Sequence, residues 1–248
     1  MKVLATYNIK GGVGKTATAV NLAWAAAGSG YRTLVWDLDP QGAATFYFRI
    51  KPKVKGGFKA LARGTRTLDD VVKGTDFDSL DLIPADFSYR NMDLRLNDAS
   101  KPARQLVRLL RPLRNEYDVL ILDCPPSISL VSENVFRAVD ALLIPMIPST
   151  LSVRTYEQLI RHLGKSDLDD VERLPFFSMV DVRKRMHKDI VAQLPARFPE
   201  VLPTAIPYAS QVELMGQHRA PIGSFAPVSK PAQSYSDLWL DVGKRVFC

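Results

Sequence analysis

Short apolar runs alternate with longer stretches of helical periodicity along the whole chain. The runs fall at residues 3–7, 33–36, 80–83, 119–122, 141–146, 176–180 and 201–206. Each is close to continuous in apolar residues, with little polar alternation, which is the pattern of strands buried on both faces of a parallel sheet. Between them, residues 15–27, 101–111, 129–138, 152–163, 188–194 and 232–246 place apolar side chains at helical spacing. Strand and helix in alternation predict an α/β fold: a doubly wound, mostly parallel sheet with helices on both faces. No internal repeat, low-complexity tract or long linker interrupts the pattern, so residues 1–248 are expected to form a single domain. Residues 51–74, which contain Gly56-Gly57, are the expected excursion from its core.

With 248 residues, 46% of them hydrophobic, the chain can bury a sizeable core. No stretch approaches the roughly 18 apolar residues of a membrane span, and the apolar run after Lys2 stops at Asn8, which is unlike a signal peptide. A cytoplasmic protein is expected. Cys124 and Cys248 cannot build a disulfide framework, and His162, His187 and His218 show no metal-ligand spacing. The net charge of +7 is uneven. Residues 40–68 and 99–115 contain no acid and hold twelve of the 33 basic residues. Local positive charge of this kind favours a polyanion, either DNA or an anionic membrane surface, over which a plain solvated face is the alternative.

The most informative residues are Lys10-Gly11-Gly12-Val13-Gly14-Lys15-Thr16, between the first strand and an Ala-rich helix. Glycines let the backbone curl until its N–H groups face phosphate oxygens, and the following helix N-terminus favours negative charge. Lys15 would neutralise the terminal phosphates, and Thr16 would give its hydroxyl to Mg²⁺. Ile9 occupies the first glycine position of the strict phosphate-loop pattern, so the motif is the variant K-G-G-x-G-K-[ST] with a second lysine, Lys10. Asp37-Leu38-Asp39 ends the second strand and Asp123-Cys124-Pro125-Pro126 follows residues 119–122. Carboxylates at strand C-termini face the crevice where open α/β sheets bind ligands. Cys124 reads as a small packed residue.

These three segments, in this order, resemble the ParA/MinD ATPases, and the resemblance extends over nearly the whole chain. It implies a slow ATPase with ATP and Mg²⁺ as ligands, dimerising around nucleotide. Lys10, Lys15 and Asp39 would be catalytic, with Lys10 reaching the partner's nucleotide and Asp39 aligning the attacking water. Asp123 would hold Mg²⁺ through water, together with Thr16. Gly11, Gly12, Val13, Gly14, Lys15, Thr16, Ala17 and Asp37 would serve the nucleotide, Asp37 by supporting the segment that carries Asp39. Met179, Asp181 and Pro207 would lie on the base side. Ala17 departs from the second threonine common in the family, and Tyr208-Ala209-Ser210 replaces its usual basic continuation after Ile206-Pro207.

The ParA-like branch further implies a homodimer in the ATP state, non-specific DNA binding, a stimulating adaptor protein and nucleoid association, in the service of positioning a cargo. Arg183, Lys184, Arg185, Lys188, Arg219, Lys230 and Arg245 are the expected DNA contacts. A helix at residues 101–111 competes, with Lys101, Arg104, Arg108 and Arg111 on one face. A MinD-like membrane switch would need a basic amphipathic tail with a free apolar face. The apolar residues Tyr235, Leu238, Trp239 and Val242 look instead like a helix packed on its own sheet, and no membrane partner is expected. A biosynthetic ATP-dependent enzyme is the remaining alternative. It would need a substrate pocket and often a further catalytic domain, for which the chain length leaves no room.

Overall fold

The computed structural model describes residues 1–168 and 170–247; Cys248 lies outside the described residues. In chain order the elements are β1 (Lys2–Thr6), α1 (Lys15–Gly28), β2 (Thr33–Asp37), α2 (Ala43–Tyr47), α3 (Gly57–Ala62), β3 (Lys73–Gly74), β4 (Leu80–Ile83), α4 (Met92–Asn97), α5 (Gln105–Leu109), β5 (Val119–Asp123), α6 (Leu130–Ala138), β6 (Ala141–Met146), α7 (Thr150–Lys165), β7 (Glu172–Phe177), α8 (Arg185–Arg197), α9 (Ser210–His218), α10 (Ile222–Phe225) and α11 (Lys230–Val246). The strands form one sheet in the order β3-β4-β2-β5-β1-β6-β7, parallel throughout except for the β3–β4 pair. β2 and β5 are buried along their whole length, as unbroken apolar runs require when helices cover both faces.

Two apolar layers sandwich the sheet. Phe58, Leu61, Leu106, Val135, Tyr156 and Leu194, from α3 and α5 to α8, pack on one face. Val20, Leu22, Met215, Leu238 and Trp239, from α1, α9 and α11, pack on the other. α11 runs alongside α1 in the same direction: Trp239 Nε1 donates to Ser29 Oγ (3.2 Å), and Phe247 stacks on Tyr31 with centroids 5.1 Å apart. Tyr235, Leu238, Trp239, Val242 and Val246 are thereby buried, as their spacing predicts.

Five expectations change. Residues 201–206 are not a strand. Leu202 and Ile206 donate to the carbonyls of Pro175 and Phe177 (both 2.8 Å), but Ile206 and not Thr204 makes the second bond, so the register of a ladder is lost and only the bridge Val180–Pro207 forms. The seventh strand is the antiparallel edge piece β3. The run at residues 176–180 is the end of β7, which starts four residues earlier; Met179 leaves the sheet with φ 56°. Residues 101–111 do not form one helix: a 3₁₀ turn at Pro102–Arg104 precedes the short α5, and Pro112 opens another turn. Residues 51–74 are no excursion, because Phe58, Leu61, Leu68 and Val71 are buried in the core. The helix expected at 188–194 extends to the full α8, with Pro195 in its last turn.

Candidate functional site

Register brings the chemistry together. In the parallel ladders Thr6 pairs with Asp123 and Asp37 pairs with Asp123, so β1, β5 and β2 end side by side with two carboxylates and a hydroxyl at one edge. The 10–16 loop leaves β1 at this edge and returns into α1. Gly12 (φ 70°) and Gly14 (φ 95°) hold left-handed conformations open to glycine at little cost. A Cβ on Gly14 would lie 2.8 Å from Ser178 Oγ, so both the conformation and the space require glycine there.

Gly14 begins α1, which has no side-chain cap and no acid in its first turn. Its first N–H groups therefore face outward as donors for an anion. Val13 is buried beneath the loop, and Ala17 is buried in the first helical turn, leaving only its backbone to a ligand. Asn8 braces the loop, accepting from Lys10 N (2.9 Å) and donating to Pro145 O (2.9 Å).

Lys15 is 7% exposed and its ammonium donates to the Lys10 carbonyl at 3.0 Å. Burial lowers its proton affinity, opposed by the negative charge of Asp123. Lys10 is half-buried at the loop rim; its backbone is engaged on both sides, while its ammonium makes no hydrogen bond or ion pair with another described residue.

Asp123 is fully buried. Its Oδ1 accepts from Thr6 Oγ1 (3.2 Å), while Oδ2 has no partner among the described residues. Burial and then the charge of Asp37 raise its proton affinity, and Thr16 works in the opposite direction. A buried carboxylate oxygen without a donor is costly unless a cation completes it. The set Asp123, Thr16 and nearby Asp39 therefore fits Mg²⁺, which prefers hydroxyl, carboxylate and water oxygens.

Asp37 is placed for support and not for ligand contact. Its Oδ2 accepts from both Thr45 N (2.8 Å) and Thr45 Oγ1 (2.7 Å), and Oδ1 accepts from Asp39 N (3.2 Å). Thr45 Oγ1 in turn accepts from Ala85 N (2.8 Å), tying the 37–45 loop to the end of β4. Burial raises the proton affinity of Asp37 against these bonds. Asp39 is half-buried; Oδ1 accepts from Gln41 N (2.9 Å), which fixes the carboxylate while leaving Oδ2 open. Thr45, Thr6 and Asn8 were not marked by the sequence: Thr45 is eight residues from its partner, and only Asn8 adjoins the motif. Cys124 is packed, 2% exposed, with burial raising its thiol.

On the base side, Met179 and Pro207 line a narrow pocket beside Gly14, with Tyr208 and Tyr235. Asp181 is not in that lining. Both its oxygens grip the Arg183 guanidinium (2.9 Å each), which holds the carboxylate well below its usual range. The expected DNA contacts do not form one patch. Arg183 is bound to Asp181, Arg185 pairs with Asp189 (3.8 Å), and Arg219 stacks over Phe46 and donates to its carbonyl (3.0 Å). Arg245 pairs with Glu172, the first residue of β7, at the opposite end of the sheet from the phosphate loop. Lys184, Lys188 and Lys230 make no ion pair among the described residues.

A family model described as an AAA domain matches residues 1–172. The chain is 31% identical to the sporulation initiation inhibitor protein Soj of Bacillus subtilis, over 97% of this chain and 98% of Soj. It is 30% identical to the chromosome partitioning protein ParA of Myxococcus xanthus, over 98% of this chain and 88% of that protein. Cobyrinic acid a,c-diamide synthase from Mycobacterium smegmatis, solved with bound ATP analogue and magnesium, aligns with a TM-score of 0.82 at 26% identity, over 99% of this chain and 96% of that one. ATP and Mg²⁺ are accordingly the ligands of this site. A chain of this size with a synthase name also corrects the expectation that length excludes a biosynthetic enzyme.

Proposed function

Because the chain belongs to the ParA/MinD-type family of P-loop ATPases, we propose that it is an ATP-dependent dimerisation switch that binds DNA without sequence preference in its ATP state. Slow hydrolysis of ATP to ADP and phosphate, stimulated by an adaptor protein, resets it. In this reading the switch positions or segregates a cargo on the nucleoid, in the cytoplasm.

The observation that carries the reading is Lys10. Its carbonyl holds Lys15 and its N–H is held by Asn8, so the backbone is fixed while the ammonium at the rim has no partner among the described residues. A cation held in that way is suited to a phosphate presented by a second copy. Nucleotide then forms part of the dimer contact, and loss of the γ-phosphate biases the pair toward monomers.

In the hydrolytic step, the loop N–H groups and Lys15 bind the phosphates and disperse their charge. Asp39 Oδ2 orients the attacking water, which bonds to the γ-phosphorus as the bridging oxygen leaves with ADP. Asp37 and Thr45 keep the Asp39 loop in place. Thr16 and, through water, Asp123 would hold Mg²⁺, which when bound would supply charge neutralisation to the phosphates. The membrane alternative is disfavoured because the apolar face of α11 is buried, and among the described residues no helix is long and apolar enough to cross a membrane.

The test is the molar mass of the protein by light scattering with ADP, with ATP and with ATP on Lys10→Ala. A dimer with ATP alone, absent in the variant, supports the reading; an ATP dimer that survives in Lys10→Ala refutes this role for the lysine.

A further inference from the structure

The two acid-free basic stretches are separated in the chain by β3, β4 and α4, yet they meet in the fold. α3 packs against α4 and α5. Arg108 of α5 donates through Nη2 to the Ala62 carbonyl at the end of α3 (2.8 Å). Lys59, Arg63 and Arg95 line one groove there, with Asp98 as its acid. Just before α3, Lys51, Lys53, Lys55 and Lys73 line a second groove, with Asp70 as its acid.

Both acids are already engaged, Asp98 with Arg95 (4.0 Å) and Asp70 with Arg66 (3.9 Å) and Thr67 N (2.9 Å). Among the described residues, no carboxylate pairs with Lys51, Lys53, Lys55, Lys59, Arg63 or Lys73. Closely set like charges without counter-charge repel one another, and an anion relieves that repulsion. Around the start of α8, by comparison, Arg183 and Arg185 are ion-paired within the chain, while Lys184 and Lys188 make no ion pair among the described residues.

We propose that the α3 face, from the lysine groove at residues 51–73 to the Arg63–Arg108 cluster, is a docking surface for the phosphate backbone of duplex DNA. Two grooves in succession suit a long polyanion better than a single phosphate. Lysine and arginine neutralise phosphates whatever the sequence, and neither groove is lined by the Asn or Gln that would read adenine, which suits binding without sequence preference. A lipid surface would call for free apolar side chains, and none of the large exposed apolar residues lines either groove. The inference rests on the reading that the ATP state binds DNA, and it moves the principal contact from α8 to α3.

The test measures anisotropy of a labelled random-sequence duplex with the full chain and Mg-ATP over a salt series. Lys51→Gln/Lys53→Gln/Lys59→Gln/Arg63→Gln should weaken binding by about 10-fold or more and lower the salt slope by about 3 to 4, with basal ATP turnover unchanged. Lys51→Arg/Lys53→Arg/Lys59→Arg should bind like the parent, and Arg183→Gln/Arg185→Gln should cost less than the fourfold change. Binding that survives the fourfold change, or is lost chiefly in the α8 variant, overturns the α3 surface and leaves the DNA reading standing. A parent protein that binds no DNA with ATP overturns both. Loss of binding to vesicles of phosphatidylcholine and phosphatidylglycerol, with DNA binding intact, would make the face a lipid surface and overturn the proposal.

Discussion

Asp123 Oδ2 is buried with no hydrogen-bond partner among the described residues, a position in which a carboxylate oxygen calls for a cation. Carboxylates of the unfolded chain titrate near pH 4, whereas burial and mutual repulsion hold Asp123 and Asp37 protonated to higher pH in the fold. Between those values the folded protein carries protons that the unfolded chain has released. Stability of the nucleotide-free protein therefore falls as pH rises through that window. Thermal melts from pH 5 to 8 should show the decline, Asp123→Asn should flatten it, and added Mg-ATP should stabilise more at the alkaline end. Asp39→Ala should retain ATP binding while slowing hydrolysis by about 100-fold, measured by phosphate release with saturating ATP. An undiminished rate would remove Asp39 from the reaction. The phosphate loop and its acids were legible in the sequence because each is a run of neighbouring residues. The clasp from Thr45 to Asp37 was not, because nothing local marks a threonine whose partner is chosen by the path of the chain.

At the scale of elements, β1, β2, β4, β5 and β6 were readable from their apolar runs to within a residue or two, β7 only at its end, and α1, α6, α7 and α11 from their periodicity. The failures have local causes. A slip in register between Leu202 and Ile206 denies residues 201–206 a ladder, and Pro102 and Pro112 bound α5 within a stretch whose periodicity suggested a longer helix. α5 also takes its start from another element, because Asn134 Oδ1 of α6 accepts from Gln105 N (2.8 Å) and Leu106 N (3.2 Å). α10 meets α1 at a point of no tolerance: a Cβ on Gly223 would lie 2.1 Å from the Trp24 ring. Gly223→Ala should cost about 1–3 kcal/mol in urea unfolding, and adding Trp24→Leu should recover part of it, since the two residues share one space. Equal stability of Gly223→Ala and the parent would mean that α10 shifts freely.

For the whole molecule, the sheet places every phosphate-site residue at one edge, and the two acid-free basic stretches meet over α3. Neither grouping follows from charge counts, because residues 40–68 and 99–115 become neighbours only through the packing of α3 on α5. The DNA set that the family resemblance implies is divided by the fold, with Arg183 to Lys188 around the start of α8 and Arg245 at the far end of the sheet. A likeness to Soj, ParA and a synthase alike leaves the activity to be decided by behaviour and not by fold. The measurement that decides it most directly is DNA binding by the purified protein with ATP, with ADP and without nucleotide, beside Lys10→Ala. The account predicts binding with ATP alone, weakened steeply by salt and lost in the variant. Binding that ignores the nucleotide, or none in any state, would contradict it.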